Sequence, residues 1–405
     1  MKPKVFMVLG GSYGQLKAIE TVRRLGMKVL VLDKNPEAVG RAYADFFEPV
    51  DTVDYESVKA VAEKYGIVGS MTISSDIAVP TVCRVNEALG LPVQGYGIAD
   101  AVTDKGLMRK RFLENKVASP AFFEVTNLDD LYEIRGVLEA RFESSPFMVK
   151  PSDSSGSRGV TRIDHIKDLP GAYEEALRFS RNGKVVIEEY IDGLEIGAQA
   201  FSIGGEMKLF FMHNDTVSPN MIPVGHSMPI SMAPDRVDIC REECAKALKA
   251  LGIVNGPSNI DIIVSRDGKP YIIEIGARIG ATRLPELVEA STGVDIVELS
   301  VRLAAGDEDI TLPAAKSIPV AAEMLYFDES GVVSELGDLD EIIRQYKPLA
   351  FEHHLREGMH VNRLRSGVDV YGYVMFGGPD VHYCEERCRA FLNDVKYALR
   401  FDPRP

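Results

Sequence analysis

Two carboxylates of this 405-residue chain can be set opposite each other by counting. Asn259-Ile260-Asp261-Ile262-Ile263-Val264 alternates and branches like a strand, and Tyr271-Ile272-Ile273-Glu274-Ile275 does the same. Asp267-Gly268 lies between them. Asp-Gly is the favoured centre of a two-residue type I′ hairpin turn, where both central residues need φ > 0. That turn sets Arg266 against Lys269 and, counting outward, Asp261 against Glu274. Like charges directly opposite on a sheet repel. A divalent cation held by oxygen would relieve the pair, and Mg²⁺ takes one or two carboxylates plus phosphate oxygens. The plainer alternative is that one carboxylate faces solvent or meets a neighbouring arginine.

A second cluster suits an anion. Phe147-Met148-Val149-Lys150 reads as a short strand ending in a lysine. It runs into Pro151-Ser152-Asp153-Ser154-Ser155-Gly156-Ser157-Arg158-Gly159. Small residues let backbone amides approach a phosphate, and Lys150 adds a point charge. A plain surface loop is the competing reading. No Walker A pattern occurs in the chain. Further on, Val185 to Ile191 is an apolar strand turning acidic at Glu188 and Glu189, followed by Glu195. These carboxylates can accept bonds from an amino group and from hydroxyls.

The elements that carry these residues follow from periodicity. Residues 5–9, 28–32 and 70–73 are short apolar strands, with helical patterns at 15–25 and 54–65 between them. Alternating strands and helices predict a doubly wound parallel sheet. The glycine loop after the first strand fails the dinucleotide fingerprint, since Ser12 and Gln15 stand where glycines are needed. The pattern breaks over 91–97, and a new helix is expected near Ala99. Antiparallel strands at 184–191, 197–203 and 207–212 follow. After Pro313 come strands at 320–326 and 367–376 and a helix from Cys384 to Leu399.

Composition limits the partners. A net charge of −14 and a pI near 5.1 oppose binding to nucleic-acid backbones and anionic membranes. No apolar run reaches the roughly 20 residues of a membrane span. Five cysteines suggest a reducing compartment, hence the cytoplasm. Cys240/Cys244 and Cys384/Cys388 have i,i+4 spacing, which fits thiols on a helix face better than metal ligands.

Taken in order, these pieces resemble the ATP-grasp superfamily over most of the chain. The resemblance implies mixed α/β and α+β architecture: a pre-ATP-grasp domain with a doubly wound parallel sheet (1–98), an ATP-grasp domain (99–310) with a lid at about 120–190, and a small C-terminal α+β domain (311–405). Lys105 and Lys150 then match phosphate-contacting lysines. Ser154, Ser155, Gly156, Ser157 and Gly159 match the lid loop. Glu188, Glu189, Tyr190 and Ile191 look like the adenine hinge, acting partly through the main chain of Glu189 and Ile191, and Glu195 like the ribose-binding glutamate. Asp261 and Glu274 match carboxylates for Mg²⁺ or Mn²⁺, and Arg278 an arginine that meets the reacting phosphate of ATP. Gly276 departs from the pattern, where asparagine is usual.

The chemistry implied is ligation of a small-molecule carboxylate to an amine through an acyl phosphate. His226 would orient substrate or take the amine's proton, and Arg283 would hold a substrate carboxylate. The Glu274-Ile275-Gly276-Ala277-Arg278 run is similar to ligases acting on amino acids, whereas the Gly11-x-x-Gly14-Gln15-Leu16 turn is similar to enzymes of purine biosynthesis. Alternatives are a purine-pathway enzyme (phosphoribosylglycinamide synthetase-like or carboxylating) and a nucleotide-binding protein without turnover. A homodimer is compatible with each.

Overall fold

A computed structural model describes residues 3–93, 96–142, 145–219 and 222–403. Met1, Lys2 and the two residues Gln94 and Gly95 of the expected boundary lie outside these. The chain divides into two compact units. The first comprises 1–211, 233–280 and 296–311, and the second 212–232, 281–295 and 312–405.

The first unit opens with a parallel sheet in the order Phe46–Glu48, Lys28–Leu32, Val5–Leu9, Gly69–Met71. Its central strand is a continuous apolar run buried along its whole length. That is the signature of a strand covered on both faces. Asp54 caps the helix Tyr55–Tyr65 by accepting from the Ser57 N–H, and Gly66 ends it in the left-handed conformation.

Next comes an antiparallel sheet in the order Phe122–Val125, Val185–Glu189, Phe147–Pro151, Thr161–Ile163. Helices Leu128–Phe142 and Leu169–Phe179 supply Leu131, Leu138, Leu169, Tyr173 and Ala176 to a core shared with Val149, Val185 and Ile187. The same unit holds the hairpin of Gly256–Ser265 and Pro270–Gly276, with Gly193–Ile203 antiparallel on its other side.

The turn of that hairpin differs from the expectation. Asp267 is not in the left-handed region, and only Gly268 is, at φ 87°. The Ser265 N–H donates to the Lys269 carbonyl, and the Gly268 N–H to the Ser265 carbonyl. This is a longer turn, which pairs Val264 with Pro270 and moves the register by one residue. A bulge beyond Ile262 restores the count, so that Asp261 does face Glu274. The helix expected at Ala99 begins at Lys105 instead, because Asp104 is its N-cap and accepts from the Leu107 N–H.

In the second unit, Pro223–Met228, Val320–Leu325, Gly372–Gly377 and Ala350–His353 pair antiparallel, and helix Val381–Ala398 packs on them through Cys384, Cys388, Phe391 and Val395. The thiols of Cys384 and Cys388 point at the Pro319 and Ala321 carbonyls. All five cysteines are free and buried. No helix among the described residues is long and apolar enough to cross a membrane.

Candidate active site

The site is built around two lysines delivered by different elements. Lys105 is the first residue of helix Lys105–Glu114. Its cap, Asp104, also accepts from the Ser152 hydroxyl at 2.7 Å, and the Lys105 N–H donates to the Ser152 carbonyl at 2.8 Å. The helix start and the end of strand Phe147–Pro151 are thereby joined. The Lys105 ammonium donates to Glu274 Oε1 at 2.8 Å and to the Ser154 carbonyl at 2.7 Å. One buried cation therefore touches both the hairpin carboxylate and the start of the serine-glycine loop.

Lys150 donates to Glu188 Oε2 at 2.8 Å. Arg109, four residues beyond Lys105 and so on the same helix face, brings its Nε within 2.8 Å of Glu188 Oε1. That contact is an ion pair without the alignment of a hydrogen bond. Burial alone would raise the Glu188 carboxyl, but Arg109 and Lys150 outweigh it and hold it at about 2. The Glu188 side chain is thus a buried counter-ion, not an open ligand for a base. The Glu189 N–H donates to the Ala121 carbonyl at 3.0 Å. Tyr190 lies beneath the Arg162 guanidinium, 4.3 Å from the ring centre, and Ile191 is half-buried. Glu195 is exposed on strand Gly193–Ile203, opposite Ile263.

In the loop, Ser154 and Ser155 are half-buried and Gly156 and Ser157 exposed. Gly156, Ser157 and Gly159 have φ of 69°, 58° and 71°. Left-handed φ at three of the four positions 156–159 coils the loop tightly, and glycine supplies two of the three.

Asp261 and Glu274 sit across from each other on adjacent strands, both half-buried. The Asn259 amide donates to Asp261 Oδ1 at 3.0 Å. The two carboxylates offer oxygen donors alone and have Lys105 as a cation on one of them, a donor set that fits Mg²⁺ shared with phosphate. Arg278 is half-buried and doubly paired with Asp76, Nε and Nη2 each at 2.7 Å from a carboxylate oxygen. Burial disfavours the Arg278 charge, but Asp76, Asp261 and Glu274 more than compensate and raise its pKa. A cavity of about 560 Å³ opens beside Asp76 and runs past Thr103, Asp104 and Asp153 to Lys184.

The other two expected residues belong to the second unit. His226 is buried, its Nδ1 2.6 Å from Asp215 Oδ1, and His213 Nδ1 lies 2.8 Å from the same oxygen. Burial depresses the His226 pKa in spite of Asp215, whose carboxyl the two imidazoles hold well below the usual range against its own burial. Arg283 donates to Glu286 at 3.0 Å, approaches Glu352 at 3.5 Å, and covers the Tyr373 ring.

Sequence reasoning missed Arg109, Asp76, His213 and Asp215. Arg109 was recoverable from its i,i+4 relation to Lys105. Asp76 follows the last strand of a parallel sheet, where loops at the carboxyl ends tend to carry function.

The comparisons with known proteins agree with this architecture. Residues 143–286 match the ATP-grasp domain, and residues 323–400 match the L-amino acid ligase C-terminal domain 2. Within this chain, residues 143–286 are thus an ATP-grasp domain. An L-amino acid ligase from Bacillus licheniformis superposes with a TM-score of 0.80 at 21% identity, covering 100% of both chains. A phosphoribosylglycinamide synthetase from Anaerococcus prevotii does so with a TM-score of 0.79 at 22% identity, also over 100% of both. The carbamoyl phosphate synthase large chain of Pseudothermotoga lettingae is 22% identical over 325 residues, 75% of this chain and 28% of that one. The chain thus spans under a third of that relative's length.

Proposed function

We propose that this protein is an ATP- and Mg²⁺-dependent ligase that activates a small carboxylate, such as an amino acid, as an acyl phosphate and joins it to an amine. The observation that carries the reading is the facing pair Asp261–Glu274 with the Lys105 ammonium bridging Glu274 to the serine-glycine loop. Asp261 and Glu274 would hold the metal, which neutralises charge on the transferred phosphoryl group. Lys105 and Lys150 neutralise phosphate oxygens, and loop 154–159 closes over them and keeps water from the acyl phosphate. Glu189, Tyr190 and Ile191 line the base, Glu195 the ribose. Arg278 meets the phosphoryl group in flight.

The substrate carboxylate oxygen attacks the γ-phosphorus and ADP leaves. The amine nitrogen then adds to the acyl carbon, the bond to the phosphate oxygen breaks, and the amine loses a proton. A His226 whose Nδ1–H is held by ionised Asp215 keeps a lone pair on Nε2, which suits it to accept that proton. Arg283 is assigned to a substrate carboxylate. The reading places the protein in the cytoplasm, which its free thiols favour.

A phosphorylated, purine-pathway substrate is less well supported. Lys110, Arg181 and Lys184 beside the cavity are each within ion-pair distance of Glu124 or Asp153. With Arg84 included, the cavity lining carries four cations against the carboxylates of Asp76, Asp100, Asp104, Glu124 and Asp153, so it offers no net positive charge to a second anion. The test is a phosphate-release screen with amino acids alone and in pairs, with mass spectrometry of the products. Release that requires one amino acid as acid and another as amine, with the mass of the amide, confirms the proposal. Release with neither, under a wide panel, sends the search to other acids. ATP bound with no release under any condition rejects catalysis.

A further inference from the structure

The glycine turn Gly11-x-x-Gly14-Gln15 has no part in the site described above, yet it is well built. The Gln15 side chain accepts from the Ser12 N–H at 3.0 Å and donates to the Ile73 carbonyl at 2.6 Å. The next residue, Ser74, holds φ at 60°, a strained value for a side chain other than glycine. Its N–H donates to the Ile279 carbonyl at 3.0 Å, and its hydroxyl lies 3.3 Å from the carbonyls of both Gly14 and Gly280. Three segments distant in sequence, 11–15, 73–76 and 276–280, are thus tied together by short polar contacts. Asp76 stands at their meeting point.

The Asp76–Arg278 pair has a specific form. Asp76 takes the Nε–Nη2 edge of the guanidinium at 2.7 Å and 2.7 Å. A guanidinium has five N–H donors in a planar fork, and this pairing uses two of them. Among the described residues, the Nη1 edge is left with a long 3.4 Å contact to the Ile279 carbonyl. The pairing therefore fixes the plane of the guanidinium and leaves an edge able to grip two oxygens. Gly276 makes room for the arrangement. A Cβ at 276 would lie 2.7 Å from Asp76 Oδ1, closer than such contacts allow.

We propose that Asp76 is a positioning residue for Arg278. It holds the guanidinium side-on so that the remaining edge is presented to the transferring phosphoryl group, and the glycine turn at 11–15 serves to brace the loop that carries it. The inference rests on the reading of Arg278 given above. It assigns the first parallel sheet a part in the chemistry without any nucleotide of its own.

Two single variants, their double and Arg278→Ala test it. Asp76→Asn removes the second charged acceptor and keeps the shape. Gly276→Ala keeps the carboxylate and displaces it. Each is expected to lower kcat by about a hundredfold, the scale of an ångström-sized misplacement. ADP affinity by calorimetry and KM for ATP should stay within about twofold, since the ground-state grip on the nucleotide belongs to other residues. The double variant should lose no more than the worse single one, because both act through one guanidinium. Parental kcat in a folded Asp76→Asn, beside an inactive Arg278→Ala, would overturn the inference and leave the reading of Arg278 standing. If Asp76→Asn does not fold, Gly276→Ala decides alone, and parental kcat there overturns it. Full activity in Arg278→Ala would remove both the reading and the inference.

Discussion

Replacing Glu188 by glutamine should loosen the antiparallel sheet of strands Phe147–Pro151 and Val185–Glu189 far more than a lost hydrogen bond would. Glu188 is the sole carboxylate given to two buried cations, Arg109 and Lys150, in the contacts described. Its carboxyl is drawn from the usual 4.5 to about 2 in the folded protein. At 1.36 kcal/mol per pH unit this corresponds to about 3 kcal/mol of stabilisation. The figure matches the ~3–5 kcal/mol typical of stranding a buried charge. Because the folded value lies below the unfolded one, the stabilisation is complete above about pH 4.5 and is lost as pH falls from there through about 2.

Hydrogen exchange can read this locally. Val149 and Ile187 are paired on strands Phe147–Pro151 and Val185–Glu189, which carry Lys150 and Glu188. At pH 7, amide protection on these strands in Glu188→Gln should fall about a hundredfold relative to the parent, since 1.4 kcal/mol is a factor of ten. The gap should narrow as pH falls from about 4.5 toward 2, because over that range the carboxyl of the opened parent takes up a proton that the folded one does not. Equal protection in parent and variant at pH 7 would refute the argument and make the cluster a solvated contact of little consequence.

Three further outcomes are expected. Asp261→Asn should abolish Mg²⁺-dependent turnover while the apo melting temperature holds or rises slightly, the relief of facing like charges being worth roughly 0.2–1 kcal/mol; Glu274→Gln should also abolish turnover but melt lower, because it strips the partner from buried Lys105. Lys150→Ala should weaken ATP binding by roughly 1.5–3 kcal/mol in calorimetry, and unchanged affinity would remove its phosphate role. Loop 154–159 should gain hydrogen-exchange protection with a non-hydrolysable ATP analogue and not with adenosine, because ordering costs roughly 1–2 kcal/mol per residue and only phosphate contacts offset it; equal protection in both would make it a fixed turn.

Much of this was legible in the chain itself. Strand Val5–Leu9 announces burial on both faces by its unbroken apolar run. The hairpin pairing of Asp261 with Glu274 follows from two alternating strands and a turn, and the serine-glycine loop and its lysine from residue types alone. These signals are local, since side-chain alternation and turn chemistry act over a few residues. Even so, the count to Glu274 rested on a turn that does not form, and a bulge supplied the missing residue. Bulges answer to sheet twist and neighbouring strands, which no window of sequence contains.

What the tertiary structure alone decided is how the charges are spent. Glu188, matched in the sequence to the adenine hinge, is paired with Arg109 and Lys150. Arg278, matched in the sequence to an arginine at the reacting phosphate, is paired with an aspartate 202 residues away. His226, read in the sequence as a substrate-orienting or proton-accepting group, shares Asp215 with His213. The reason is physical. A buried charge must find its partner wherever the fold brings one, and that partner is selected by distance in space and by the cost of leaving water, neither of which is written along the chain.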